Sequence, residues 1–198
     1  MGLDHGKHYK RLVLRDFRNG EEEIRVKEQK QLYLKDVAKR YSTFFNVHEN
    51  ERLGDVPLSF YAKYKRRDEK YFLAKKLNVW GLENLQLVFV VEKEDVTIAD
   101  LKQLKREILS HAESFVPNDS EHMSTLFLGV IVTSGDVDDE VVKEVCSFRK
   151  IKFFKYGYHG WGEFYLALVT IPEQEVFVHR KGKEFMRLFQ TELGIKGG

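Results

Sequence analysis

The apolar positions of this chain change spacing several times, and each change marks an element. Over residues 29–47, Tyr33, Val37, Tyr41, Phe44 and Phe45 recur at helical intervals, which predicts one amphipathic helix ending near Val47. The period then falls to two. Leu58, Phe60, Ala62 and Tyr64 alternate with Ser59, Tyr61, Lys63 and Lys65, as in a strand with one wet face. Arg66, Arg67, Asp68 and Glu69 turn the chain into a strand-like run over 70–80. A further turn at 81–84 leads into 85–92, which is apolar on both faces and reads as a central strand.

Thr97 opens the clearest helix. Ile98, Leu101, Leu104, Ile108, Leu109, Ala112 and Phe115 form its stripe, Thr97 and Asp100 suit a capping box, and Pro117 and Asn118 close it. The run TLFLGVIVT over 125–133 predicts a strand covered on both faces. Residues 136–139 supply caps for a short helix carrying Val141, Val142, Val145 and Cys146, with Cys146 on its apolar stripe. With 151–156 as a strand, residues 125–156 predict a right-handed β-α-β crossover. A hairpin of 164–171 and 175–179 turns around Pro172, and a last helix directs Phe185, Met186, Phe189 and Leu193 inward.

Residues 1–30 are a charged leader with two readings. Leu12-Val13-Leu14 and Ile24-Arg25-Val26 flank Asn19-Gly20, a strong hairpin signal, and the competing reading is disorder. Residues 31–198 form a single α+β domain: a mixed β-sheet, with an antiparallel meander plus a β-α-β crossover, flanked by helices. Its αβββαβ start resembles the core of restriction-endonuclease-like nucleases, at the level of fold.

Composition narrows the setting. The 198 residues are 42% hydrophobic and 13% aromatic, enough for one proper core. The longest apolar stretch, 126–132, is far short of the roughly 18 residues a membrane span needs. The amino terminus has no apolar signal region, and the single Cys146 fits a reducing compartment. Cytoplasmic placement without membrane contact is expected.

The 33 basic and 31 acidic residues nearly cancel, so total charge points to no partner, but its distribution does. One basic cluster is Lys63, Lys65, Arg66, Arg67, Lys70, Lys75 and Lys76; a second is Arg149, Lys150, Lys152 and Lys155; a third is Arg180, Lys181, Lys183 and Arg187. Tyr61, Tyr64, Tyr71, Phe153, Phe154 and Tyr156 interleave with the first two. Basic side chains among aromatics suit single-stranded nucleic acid, through phosphate neutralisation and stacking. The plainer reading is that lysines line wet strand faces and guard sheet edges. Lys75 falls on the apolar face of its run, where an ammonium needs a partner or a cleft, unless a bulge turns it outward.

The loop from Gly157 through Tyr158, His159, Gly160, Trp161 and Gly162 to Glu163 combines three glycines with an imidazole, an indole and a carboxylate. Glycines permit close approach of backbone to a ligand, yet Trp161 can equally plug the sheet end. Glu121 and His122 form a second polar pair before the 125–133 strand, with capping as the plainer role. Asp55 with Asp68-Glu69-Lys70 matches the acid–acid–lysine string of a metal-dependent nuclease, although Asp68 falls in a turn rather than on a strand. No histidine pair has metal-ligand spacing inside an element, so neither a metal site nor a cofactor is assigned.

The strings DEKYFLAKK (68–76), SEHMST (120–125), FKYGYHGW (154–161) and HRKGKEF (179–185) resemble a family of uncharacterised proteins from archaea and anaerobic bacteria. The likeness spans roughly 31–190, and a family without established activity implies no catalytic residue. The expectation is a nucleic-acid-associated protein using Lys63, Lys65, Arg66, Arg67, Lys75, Lys76, Glu121, His122, His159, Trp161, Glu163 and Lys181. A metal-dependent nuclease-like enzyme and a protein-interaction module remain alternatives, and no oligomeric state is assigned.

Overall fold

The computed structural model describes residues 5–64, 83–116, 122–155 and 160–195, with side chains over 20–64, 85–116, 124–155 and 160–195. Helix α1 (His5–Tyr41) is followed by β1 (Phe45–Glu49), β2 (Arg52–Leu53), β3 (Val56–Pro57), β4 (Phe60–Tyr64) and β5 (Glu83–Lys93). Then come α2 (Ile98–Phe115), β6 (His122–Thr133), α3 (Asp139–Ser147), β7 (Arg149–Phe153), β8 (Trp161–Thr170) and β9 (Glu175–Val178). A 3-10 helix (Arg180–Met186) runs into α4 (Arg187–Glu192). The α+β class and the mixed sheet are as expected from the sequence.

Among the described residues the main sheet has the order β1-β4-β5-β6-β8-β7, with β9 pairing the far half of β8. β1, β4 and β5 form an antiparallel meander, while β5, β6 and β8 run parallel. The parallel strands occupy the middle because they are apolar on both faces. Val88, Phe89, Leu128, Val130, Leu166, Ala167 and Leu168 are all buried. α1 and α4 cover one face, against Val88, Val130 and Tyr165. α2 and α3 cover the other, against Phe89, Phe127 and Leu166.

Local chemistry explains the element ends. Thr97 and Asp100 form the expected capping box at α2, each side chain bonding the other's backbone. α1 stops at Tyr41 rather than near Val47. Ser42 bonds the Lys39 carbonyl through Oγ at 2.7 Å, and Ser42 and Thr43 favour such local bonds over helix continuation. Phe44 is consequently 63% exposed and contributes nothing to the stripe, while Phe45 opens β1 edge-on to Tyr41, with the ring centroids 4.9 Å apart.

Three expectations require correction. The leader forms no hairpin, because Asn19 and Gly20 lie within α1. The crossover also joins different strands from those expected. β5 and β6 are the adjacent parallel pair linked through α2, and β7 instead pairs antiparallel with β8 at the sheet margin. Its half-exposed, lysine-bearing pattern suits a margin, and the wholly apolar stretch of β8 takes the central slot. Cys146 is exposed, since α3 turns Val141 and Val145 inward and leaves its next position facing water. The proposed strand over 70–80 lies outside the described residues.

One buried charge anchors α1. Lys30 is 1% exposed, and its Nζ donates to the Lys93 carbonyl at 2.9 Å and to Ser134 Oγ at 3.0 Å. Glu92 Oε1 stands 3.1 Å away and supplies the counter-charge. An ammonium has three donors, and these three partners satisfy it.

Candidate nucleic-acid interface

A wide cleft lies where the start of β7, the first half of β8 and the 3-10 helix meet. Its volume is about 1140 Å³, and among the described residues Arg149, Arg180, Lys181, Lys183 and Arg187 line it against two acids, Glu163 and Glu184. The four basic residues after β9 are all exposed, so their charge is presented to solvent rather than paired inside the fold.

Strand register builds the floor. Arg149 lies directly opposite Tyr165, and Ile151 opposite Glu163, so alternate residues of β7 and β8 share one face. Arg149 Nε donates to Glu163 Oε1 at 2.6 Å, and the Tyr165 hydroxyl donates to the same oxygen at 2.5 Å. Burial alone would raise the Glu163 carboxyl. The hydrogen bonds from Tyr165 and Arg149, with the charges of Arg149 and Lys181, hold it below the usual carboxylate value instead. Burial, reinforced by the bond to Glu163, pushes the Tyr165 hydroxyl up to about 12. Glu163 is therefore an ionised internal counter-ion, and Tyr165 a neutral donor.

The basic wall is placed by close packing. His179 Nδ1 accepts from Lys181 N at 3.2 Å and caps the 3-10 helix, while Gly182 N bonds the His179 carbonyl at 2.7 Å. A Cβ on Gly182 would stand 2.8 Å from Val178 Cγ2 and 3.0 Å from Tyr165 Cδ1. The glycine thus lets the basic turn rest on the Tyr165 ring, with Phe185 packed 5.9 Å away, centroid to centroid.

The structure brings Glu163 and Lys181 together at the cleft. Lys63 lies on β4 opposite Leu87, on the sheet face that packs on α2 and away from the cleft. Lys65, Arg66, Arg67, Lys75, Lys76, Glu121 and His159 lie outside the described residues. His122 begins β6 opposite Glu83, with its side chain outside the described set. Trp161 is half-buried at the start of β8, opposite Phe153. Asp55 is exposed in the β2–β3 turn, and Asp68 lies outside the described residues.

The glycine loop has an internal explanation in part. Gly160 adopts φ 71°, and its carbonyl accepts from Phe154 N at 3.0 Å, closing the β7–β8 connection. A Cβ on Gly162 would come within 2.8 Å of Phe154 Cζ, so the close approach at that glycine is to the protein's own ring. Arg149 and Tyr165 complete the cleft. The sequence signals the first only through the basic run at 149–155, and the second not at all.

A family model for a domain of unknown function, DUF8052, matches residues 29–191. The chain belongs to the DUF8052 family. The matched span begins one residue before Lys30 and ends within α4, so the DUF8052 region contains the whole β7–β8 floor and the whole basic wall. No curated protein and no solved structure matches the chain. Among the described residues no helix is long and apolar enough to cross a membrane, and no group of three or more His, Cys, Asp or Glu is placed to hold a metal ion.

Proposed function

We propose that this protein binds nucleic acid, with the phosphate backbone lying in the cleft between β7–β8 and the 3-10 helix. The observation that supports this is the gathering of five basic side chains, from segments about thirty residues apart in sequence, around one open cavity with two acids. Phosphate oxygens are acceptors alone, and Arg and Lys head groups are donors alone, so the lining is complementary to a polyanion. Arg149, Arg180, Lys181, Lys183 and Arg187 bind the phosphates. Glu163 does not. It holds Arg149 against the floor and tempers the charge of the cleft.

Fluorescence anisotropy of a labelled oligonucleotide at low ionic strength tests the reading. Binding should saturate, and Lys181→Ser with Lys183→Ser should weaken it. Absence of binding by the unaltered protein would remove the proposal.

A further inference from the structure

Beside the cleft, the same sheet face continues as an apolar strip. Ile151 and Phe153 follow Arg149 at alternate positions of β7, and Trp161 precedes Glu163 on β8, directly opposite Phe153. Phe153 is 67% exposed and Ile151 43%, two of the large apolar side chains that the described residues turn to solvent. The neighbouring residue Phe154 points the other way and is buried, at 2% exposure, over Gly162 and Phe127. Of the adjacent rings 153 and 154, therefore, one serves the core and one is turned to solvent.

Among the described residues the exposed ring has no packing role that accounts for it. At a solvated β7 margin a polar residue would cost nothing, whereas an exposed Phe keeps apolar area in water. What covers it must be compatible with the charge alongside. The strip runs into the basic cleft without a break, since Arg149 is both its last member and part of the cleft lining. From Arg149 to Phe153 is four strand residues, about 13 Å.

We infer that the partner is single-stranded nucleic acid, whose phosphates occupy the basic cleft while its bases stack on Phe153 and Trp161. This rests on the nucleic-acid reading above and narrows it. In a duplex the base faces are already stacked on one another, so a duplex offers the cleft its phosphates but offers the strip nothing. A single strand offers both, and every base has a π-face, so the platform is tolerant of sequence. Ile151 fills the space between the rings and the cleft with apolar surface.

The test compares a labelled oligothymidylate with a hairpin duplex, each titrated with the full chain. The single strand should bind more tightly, and its binding should quench the indole emission of Trp161, a signal that Trp161→Phe removes while leaving a ring to stack on. Phe153→Ala should weaken the single strand roughly 5- to 150-fold, the range typical of removing a stacking aromatic, and should leave duplex affinity unchanged. Because Phe153 is mostly solvent-facing, this variant should keep the thermal unfolding midpoint of the parent. Equal affinity for both probes, or a Phe153→Ala chain that binds the single strand as well as the parent, would overturn the inference while the backbone-binding reading stands. Binding of neither probe would overturn both, and preference for an acidic polypeptide over the oligothymidylate would replace them with a protein partner.

Discussion

Arg149 Nε and Glu163 Oε1 stand 2.6 Å apart across the β7–β8 ladder, and this pair ties the marginal strand to the floor of the basic cleft. Removing its negative member should have opposite effects on folding and on binding. Glu163→Gln weakens two charge-assisted hydrogen bonds, those from Arg149 and Tyr165, and should cost about 1–2 kcal/mol of stability in a urea titration. The same change frees Arg149 and deletes one of the two acids in the cleft, so oligonucleotide affinity should rise several-fold. A variant that loses both stability and affinity would show that Glu163 contributes to the bound state directly.

The pH dependence of this pair has a definite sign. Glu163 has a folded-state carboxyl pKa below its ordinary value, so its contribution to stability is complete above that ordinary value. The contribution is lost as pH falls through the folded value. The stability difference between the parent and Glu163→Gln should therefore be constant near neutrality and shrink in acid. Urea midpoints measured from neutral pH down through the carboxylate range check this, and a gap that widens in acid would contradict it.

Lys30 should be a strong determinant of how α1 docks. Lys30→Ala leaves the Lys93 carbonyl, Ser134 Oγ and Glu92 short of a donor and removes a buried aliphatic stem, at a cost of about 2–4 kcal/mol. The far end of β5 lies well away from the cleft, so affinity for oligonucleotide at a temperature where the variant is folded should be unchanged.

Gly182→Ala tests how the basic wall is seated. The added methyl would meet Val178 at a distance no ordinary Cβ adopts and would press tightly on the Tyr165 ring, so about 1–3 kcal/mol of stability should be lost. Because the 3-10 turn must lift off Tyr165, this variant should also lose binding, unlike Lys30→Ala.

Local and two-faced patterns were legible in the sequence; pairing across the sheet was not. The Thr97–Asp100 capping box is complete within four residues, and 125–133 is apolar at nearly every position, so each has one reading. β7 misled because a basic strand after a short helix looks the same whether it joins the middle of a sheet or its margin. Only the register with β8 decides, and that depends on 161–170 being the more apolar partner. The cleft shared this difficulty. Glu163 and Lys181 stood out one at a time, but it is the Arg149–Tyr165 register and the packing of Gly182 on Tyr165 that place them around one space. Lys30 had a visible sign: it lies one helical turn before Tyr33 and Leu34, so the buried stripe of α1 passes through it.

Whether the cleft binds a phosphate backbone through its basic wall is tested most directly by the salt dependence of oligonucleotide affinity. We expect log affinity for a single strand to fall linearly with log salt concentration. With Arg180, Lys181, Lys183 and Arg187 all replaced by Ser, the slope should flatten by about 0.7 for each phosphate that is no longer neutralised. A slope identical in the parent and the fourfold variant would place the binding surface elsewhere and contradict this assignment of the cleft.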